Sequence, residues 1–490
     1  MKKIHLKNEP NLIPTKEAFK YQKEAFEAIK DLDYAAIFHE QGLGKTKIAI
    51  DLLLYWLEKT DIDTVLIVTK KQLVFNWSEE FKFHTKIKPK TLSNNKAENF
   101  YVFNGPSRIV ITNFETISTE KERFKLYLKA RNVGIIVDES AKIKNPDSKL
   151  TKDFFELSEL FKKRVIMTGT PVANRPYDIW AQIYFLDNGE SLGTNFEDFK
   201  KNTDLSNDLN KNKDKKDRFE DSISMIFDKI KAFSVRETKD SGVVFLPDRE
   251  YICVWTNFNK EQFDMYNKIK DECILEITKN NYKTIDDSSD SLKRLLRLVQ
   301  VTSNPKLIDD EVKITSAKEY ELDKLLKEII SKNEKCIVWS SFIENIDYFT
   351  KKYEKYDAVK IHGKMRMDDR NKSVVKFKNG DAKVLFATPQ SAKEGLTLTV
   401  ANNVIFYDRG FSLDDYLQAQ DRIHRISQKK TCYIYNIMIK GSIDEWVDVL
   451  LKAKEQAAKL SQGDIAIDEY KSTIDYTYGD IIKEILNIEE

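Results

Sequence analysis

Two series of short, strongly apolar runs constrain the fold of this chain more than any other feature. The first comprises YAAIF (34–38), TVLIV (64–68), RIVIT (108–112), VGIIV (133–137) and RVIM (164–167). The second comprises KCIVW (335–339), DAVKI (357–361), KVLFA (383–387), NVIFY (403–407) and CYIYNIMI (432–439). β-Branched runs of this length, alternating with longer segments of helical pattern, are what strand–helix–strand units with parallel sheets require. Several runs are apolar on both faces, as strands covered by helices on each side must be. The expectation is an α/β protein with two lobes of similar size.

Between the series the composition changes. FEDFKKNTDLSNDLNKNKDKKDRFED is polar and carries no strand signal, so it reads as an exposed helical insertion with a mobile middle. From Asn259 to about Val301 the pattern is helical again, interrupted by NNYKTIDDSSDS. The expected organisation is a first lobe over 1–245 with its insertion at about 190–235, then a bridge and helical protrusion over 246–315. A second lobe follows over 316–460, with a helical tail or brace over 461–490.

A chain of 490 residues has room for two or three cored domains. No apolar run approaches the ~20 residues of a membrane span, and the basic start MKKIHLKNEP has no apolar stretch behind it to make a secretion signal. Four scattered cysteines without a CxxC pair, and five histidines, argue against a structural zinc site. A reduced, cytoplasmic setting follows, in a bacterial cell or a virus-infected host. A net charge of +2 says almost nothing about partners. With only 15 glycines, those at 42, 44, 169, 363, 395 and 410 are expected where a loop needs left-handed backbone or a close ligand approach.

YAAIF, a turn containing Gly42-Leu43-Gly44-Lys45-Thr46, and KTKIAIDLLLYWLEK form a strand, loop and helix in succession. Backbone N–H groups at such a helix start point at an anion, and Lys45 can reach outer phosphates. The Thr46 hydroxyl would join a Mg²⁺ shell. His39 stands where the strict pattern asks for glycine. VGIIVDESAKIKN then ends an apolar strand in Asp138-Glu139, at the sheet edge where α/β proteins bind ligands. Asp138 would hold Mg²⁺ through water, and Glu139 would polarise the attacking water. Together they predict binding and hydrolysis of a nucleoside triphosphate. In the second lobe, SLDDYLQAQDRIHRISQKK opens with Ser412 and Asp415 spaced as a capping box. Gln418, Arg422 and Arg425 are spaced to share one helix face. A pair of arginines presented across a cleft stabilises charge on a transferring phosphoryl group.

Across about Phe19 to Trp446 the chain resembles the SWI/SNF-type helicase-like ATPases of superfamily two. FKYQKEAFEAI resembles their adenine-sensing segment, with Gln22 in the reading position, and HEQGLGKT and VDESAKIKN stand at their two nucleotide motifs. VTKKQLVFNWSEEF and ITNFETIS resemble the first-lobe DNA-tracking motifs; MTGTPVANRPYDIWAQIYFL resembles the motif linking ATP state to lobe movement, through Thr168, Gly169 and Thr170. IVWSSF, IHGKMRMDDR, LFATPQSAKEGLTLTVANNVIFYDRG and QAQDRIHRISQ follow in the family's order. More selective are FLPDREYICVW, then Gln262 and Tyr266, then LLRLVQVTSNPKLI, which resemble the bridge and second protrusion of double-strand DNA translocases rather than of RNA unwinders. The resemblance implies two RecA-like parallel-sheet lobes in tandem, hydrolysis of ATP with Mg²⁺ at the cleft between them, and Gln22, Gly42, Leu43, Gly44, Lys45, Thr46, Gln418, Arg422 and Arg425 around the nucleotide. Three positions depart from the family pattern: Ala141 in place of His or Gln, Thr397 in place of Asn, and DRGFS (408–412) in place of an aromatic-Asn-Pro turn.

The same resemblance implies duplex DNA held by its phosphates, which needs N–H groups, hydroxyls and a few cations rather than base readout. Candidates are Lys70, Asn76, Thr112 and Asn113 in the first lobe, and Ser340, Gly363, Lys364, Thr388, Lys393 and Gly395 in the second. Trp77 either stacks on nucleic acid or packs in the core, and its helical spacing favours the core. The leading function is an ATP-dependent translocase on double-stranded DNA that remodels or displaces bound proteins, with partner proteins supplying targets. The alternatives are a strand-separating DNA or RNA helicase, and a nucleotide-gated binding module in which Ala141 and DRGFS have uncoupled hydrolysis from movement.

Overall fold

The computed structural model describes residues 3–93, 95–172, 174–204, 213–279, 289–392, 396–425 and 427–473. The middle of the expected insertion, most of the NNYKTIDDSSDS interruption and the end of the expected tail lie outside the described residues.

Contacts divide the chain into two compact units: Met1–Asp204 with Asp221–Val244 and Leu460–Asp464, and Leu205–Glu220 with Phe245–Lys459 and Ile465–Glu490. In the first, strands β1 (Tyr34–Ile37), β2 (Thr64–Thr69), β3 (Lys90–Thr91), β4 (Ile109–Asn113), β5 (Val133–Asp138), β6 (Lys163–Met167) and β7 (Ser234–Val235) form a parallel sheet in the order β3-β4-β2-β5-β6-β1-β7. The strands β8 (Arg249–Thr256), β9 (Cys336–Trp339), β10 (Val359–Ile361), β11 (Val384–Ala387), β12 (Asn403–Phe406) and β13 (Cys432–Ile439) build the second unit's parallel sheet, ordered β10-β11-β9-β12-β13-β8.

All ten apolar runs become strands, and their double-sided apolarity has a physical use. Successive residues of a strand face opposite sides of a sheet. In the second unit Ile337, Trp339, Val404 and Phe406 enter one core cluster, while Cys336, Val338, Ile405 and Tyr407 enter another. Helices therefore cover both faces. β8 is a strand that the sequence analysis assigned to the bridge; its alternating half-buried residues suit a sheet edge.

The register of the first sheet positions the site. Val68 pairs Val137, Val137 pairs Ile166, and Ile166 pairs Ala36. One residue further on, Thr69, Asp138, Met167 and Ile37 end their strands at one level. Whatever follows β1, β2, β5 and β6 must share one rim of the sheet.

In the second unit the helices Lys260–Lys279 and Ser289–Ser303 pack through Tyr266, Leu298 and Val299 on Trp446 and Leu450. Gln262 donates to the carbonyls of Val301 (2.9 Å) and Thr302 (3.3 Å) and accepts from Ala317 N. Beside it, Lys318 Nζ lies 2.8 Å from Asp444, which also accepts from Thr302 Oγ1 and Ile439 N. Both charges are buried, at 0% and 6% side-chain exposure. Among the described residues, no helix is long and apolar enough to cross a membrane.

Removing one member of such a pair leaves an uncompensated buried charge, so Lys318→Met is expected to destabilise the second unit by about 3–5 kcal/mol. Urea unfolding checks this: the midpoint should fall well below the parent's, and an unchanged midpoint contradicts the assignment.

Candidate nucleotide site

The loop after β1 is shaped by two glycines in left-handed backbone, Gly42 (φ 91°) and Gly44 (φ 71°), where a side chain would be strained. Gly44 caps the helix Lys45–Lys59, and a Cβ there would stand 2.3 Å from Gln22 Nε2. Gln22 is buried against this loop: its Nε2 donates to Leu43 O (3.2 Å), and its Oε1 accepts from Phe19 N (3.0 Å). Tyr21 OH donates to the same Leu43 carbonyl at 3.0 Å. The segment carrying Gln22 thus fixes the loop's shape. Lys45 Nζ donates to the carbonyls of His39 (2.9 Å) and Glu40 (3.2 Å), holding its ammonium over the loop. Burial, with the Lys45 charge second, pushes the His39 imidazole down to about 4 and keeps it neutral.

Asp138 ends β5 and is almost wholly enclosed. Its Oδ2 accepts from Thr69 Oγ1 (3.0 Å) and from Trp77 Nε1 (2.8 Å). Trp77 is therefore a core residue, 2% exposed, that also steadies the carboxylate. Burial first, and the neighbouring Glu139 charge second, push Asp138 up to about 6. Neither donor uses Oδ1. Glu139 sits in left-handed backbone (φ 57°), an unusual conformation for a side-chain-bearing residue, which sets it off the strand direction. Its Oε2 lies 3.0 Å from Lys70 Nζ. Thr168, Gly169 and Thr170 follow β6 on the same rim: Thr170 N donates to Thr168 Oγ1, and a Cβ on Gly169 would come within 2.7 Å of Gln41 Cγ. The sheet thus brings the phosphate-type loop, the two carboxylates and the 168–170 turn together.

The second unit corrects one expectation. The helix that starts at Leu413, capped by the Ser412 hydroxyl on Asp415 N, ends at Gln420, so Gln418, Arg422 and Arg425 do not share a helix face. The side chains bend back on the chain. Arg422 Nε donates to Gln418 O and Arg425 Nε to Asp421 O, both at 2.9 Å, taking carbonyls that a continuing helix would give to backbone N–H groups. Arg422 is buried and also reaches Leu396 O; Arg425 Nη1 donates to Thr397 Oγ1 at 2.7 Å.

The DNA-contact candidates divide by exposure. Asn76, Gly363 and Lys364 are exposed, and Lys70 is partly so. Thr112 is fully buried, and Asn113 caps the helix Phe114–Thr119 through Thr116 N. Thr388 is buried, while Ser340 turns inward to Asp408. Lys393 and Gly395 lie outside the described residues.

The model of the SNF2-related domain matches residues 21–307, and that of the helicase conserved C-terminal domain matches residues 320–427. The chain belongs to the SNF2-related family. Among its relatives, an uncharacterized ATP-dependent helicase of Mycoplasma genitalium is 27% identical over 455 residues, covering 90% of this chain and 42% of the relative. The ISWI chromatin-remodeling complex ATPase of Saccharomyces cerevisiae is 25% identical, covering 86% and 38%. The chain thus spans about two fifths of the length of these relatives. A solved Sulfolobus solfataricus SWI2/SNF2 ATPase core in complex with dsDNA aligns over 96% of this chain and 100% of its own, at 22% identity and a TM-score of 0.42.

In this SNF2-related protein the three departures have local partners. Next to Ala141, Ser140 Oγ donates to Gln182 Oε1 (2.7 Å), and Gln182 Nε2 donates to Pro171 O (3.0 Å) and Asp178 O (2.9 Å). Ser140 and Gln182 are both 0% exposed, so this stitch between the carboxylate turn and the 168–171 turn is dry. Thr397 supplies the oxygen that Arg425 uses. In DRGFS, Asp408 accepts from Ser303 Oγ (2.7 Å) and Ser341 N (2.7 Å), while Arg409 pairs with Asp448 at 2.6 Å. Sequence reasoning missed Ser140, Gln182 and Asp408, because each acts through a partner distant in the chain.

The Asp138 value has a thermodynamic sign. A folded-state value raised above the ordinary 3.8 contributes stability that is whole below the lower value and lost as pH rises through about 6. Asp138→Asn, which keeps an acceptor for Thr69 and Trp77, is expected to gain on the order of 2 kcal/mol at about pH 8 and nothing near pH 4. Denaturant titrations at the two pH values check this; a gain that does not change with pH contradicts it.

Proposed function

We propose that this protein is an ATP-dependent translocase on double-stranded DNA that remodels or displaces proteins bound to it, acting in the bacterial cytoplasm. Lys45 and the N–H groups of the 42–46 loop would hold the phosphates, Gln22 would border the base, and Glu139 would accept a proton from the attacking water. Arg422 and Arg425, with Gln418 beside them, would supply the second unit's charge to the phosphoryl group. The residues fit a Mg²⁺ ion: Thr46 offers a hydroxyl, and Asp138 has an oxygen that neither Thr69 nor Trp77 uses. When bound, that ion would neutralise phosphate charge. Lys70, Asn76, Gly363 and Lys364 would meet DNA phosphates with their exposed groups, and the backbone near Asn113 and Thr388 would contribute N–H groups.

The observation that carries this reading is the shared rim of phosphate-type loop, Asp138-Glu139 and Thr168–Thr170 in a chain of the SNF2-related family. Thr168, Gly169 and Thr170 would pass the nucleotide's state onward, because Gly169 lies against Gln41 of the loop.

ATP hydrolysis measured with no nucleic acid, duplex DNA, single-stranded DNA and RNA tests the proposal. Strong stimulation by duplex DNA is expected, with turnover falling by roughly 100-fold or more in Lys45→Ala and Glu139→Gln. Stimulation by RNA or single strands alone would favour a strand-separating helicase, and ATP binding without stimulated turnover would favour a binding module.

A further inference from the structure

Lys70 faces two ways. Strand register brings it to Glu139: β2 and β5 are neighbours, Val68 pairs Val137, and two residues beyond that pair stand Lys70 and Glu139. The contacts follow this spacing, with Thr69 on Asp138 and Lys70 on Glu139, each at 3.0 Å. The pair is largely shielded, with side-chain exposures of 20% and 15%, so it is more than a solvated surface contact. The lysine also belongs to a short loop whose next residues, Lys71 and Gln72, are exposed, as is Asn76.

We infer that Lys70 is a latch on Glu139 that a polyanionic backbone opens. The inference rests on the translocase reading and deepens it by naming the regulation of hydrolysis. In hydrolysis the water oxygen bonds to the γ-phosphorus, the bond to the β–γ bridging oxygen breaks with its electron pair leaving on ADP, and the water's proton passes to Glu139. An ammonium on Oε2 takes one acceptor site of the Glu139 carboxylate and holds the side chain toward β2, away from the pose in which it accepts that proton. A DNA phosphate beside Lys71 and Asn76 offers the ammonium an anion of equal charge, so exchanging partners costs little Coulomb energy. The exchange frees Glu139. Duplex binding would then raise turnover through a single shared lysine, with no long relay.

The test measures kcat and KM for ATP, without and with saturating linear duplex DNA, for the parent chain, Lys70→Met and Lys70→Arg. Lys70→Met is expected to raise the DNA-free kcat by roughly 5-fold or more, with stimulation by DNA reduced by the same factor and KM for ATP unchanged. Lys70→Arg keeps a cation on Glu139 and should retain low basal turnover and full stimulation. Lys70→Met combined with Glu139→Gln should be inactive, because the released turnover passes through Glu139. A Lys70→Met chain that melts at the parent's temperature with unchanged or lower basal kcat overturns the latch. If that variant does not fold, Lys70→Gln and Lys70→Arg decide: equal basal rates in these two overturn it as well. A parent chain unstimulated by any nucleic acid defeats the translocase reading separately, while the basal rates still decide whether Lys70 restrains Glu139.

Discussion

The candidate site of the first unit is built around a carboxylate in a place that disfavours charge. Asp138 ends the buried strand β5, where burial pushes its carboxyl up to about 6. The fold answers with donors from the adjacent strand and the helix that follows it: Thr69 closes β2 on the same level, and Trp77 comes from the helix Val74–His84. Thr69 reaches Asp138 because β2 and β5 are in register. A shift of one residue would turn Thr69 to the other sheet face and leave Asp138 without its hydroxyl. The same register places Lys70 on Glu139 and brings the loops after β1 and β6 beside them.

The departures from the family pattern look different once their partners are known. Ala141 cannot hydrogen-bond through its side chain, yet the residue before it does, through Ser140 and Gln182 to the Pro171 carbonyl. Such a dry, fully paired connection makes movement of one turn costly unless the other follows. Thr397 provides an acceptor to Arg425, as an asparagine oxygen would. DRGFS builds its own support, with Asp408 facing four neutral donors and Arg409 paired with Asp448. Asp138 takes its hydrogen bonds from Thr69 and Trp77, outside all three departures.

Much of this was legible in the chain because it is local. The ten apolar runs marked strands, and the glycine-rich turn followed by Lys45-Thr46 marked a helix start. Trp77 read as core from its helical spacing, though spacing could not reveal that its indole N–H meets Asp138. What was not legible depends on pairing across the sheet or on the exact end of a helix. Arg422 and Arg425 carry helical spacing, but their guanidinium groups take the carbonyls that would have extended the helix, so periodicity overshot by a turn. Lys70, taken as a phosphate contact from its position in a motif, pairs with Glu139 for a reason that only strand register supplies. Ser340 and Thr112 are polar in sequence and buried in the fold, where Ser340 supports Asp408.

Displacement of a third strand from a triplex by the purified chain and ATP tests the central claim most directly. A motor that tracks along intact duplex DNA should release the third strand only with hydrolysable ATP, leave the underlying duplex paired, and release nothing when Glu139 is replaced by glutamine. Strand separation of the duplex itself, or release equal with and without hydrolysis, would contradict the account.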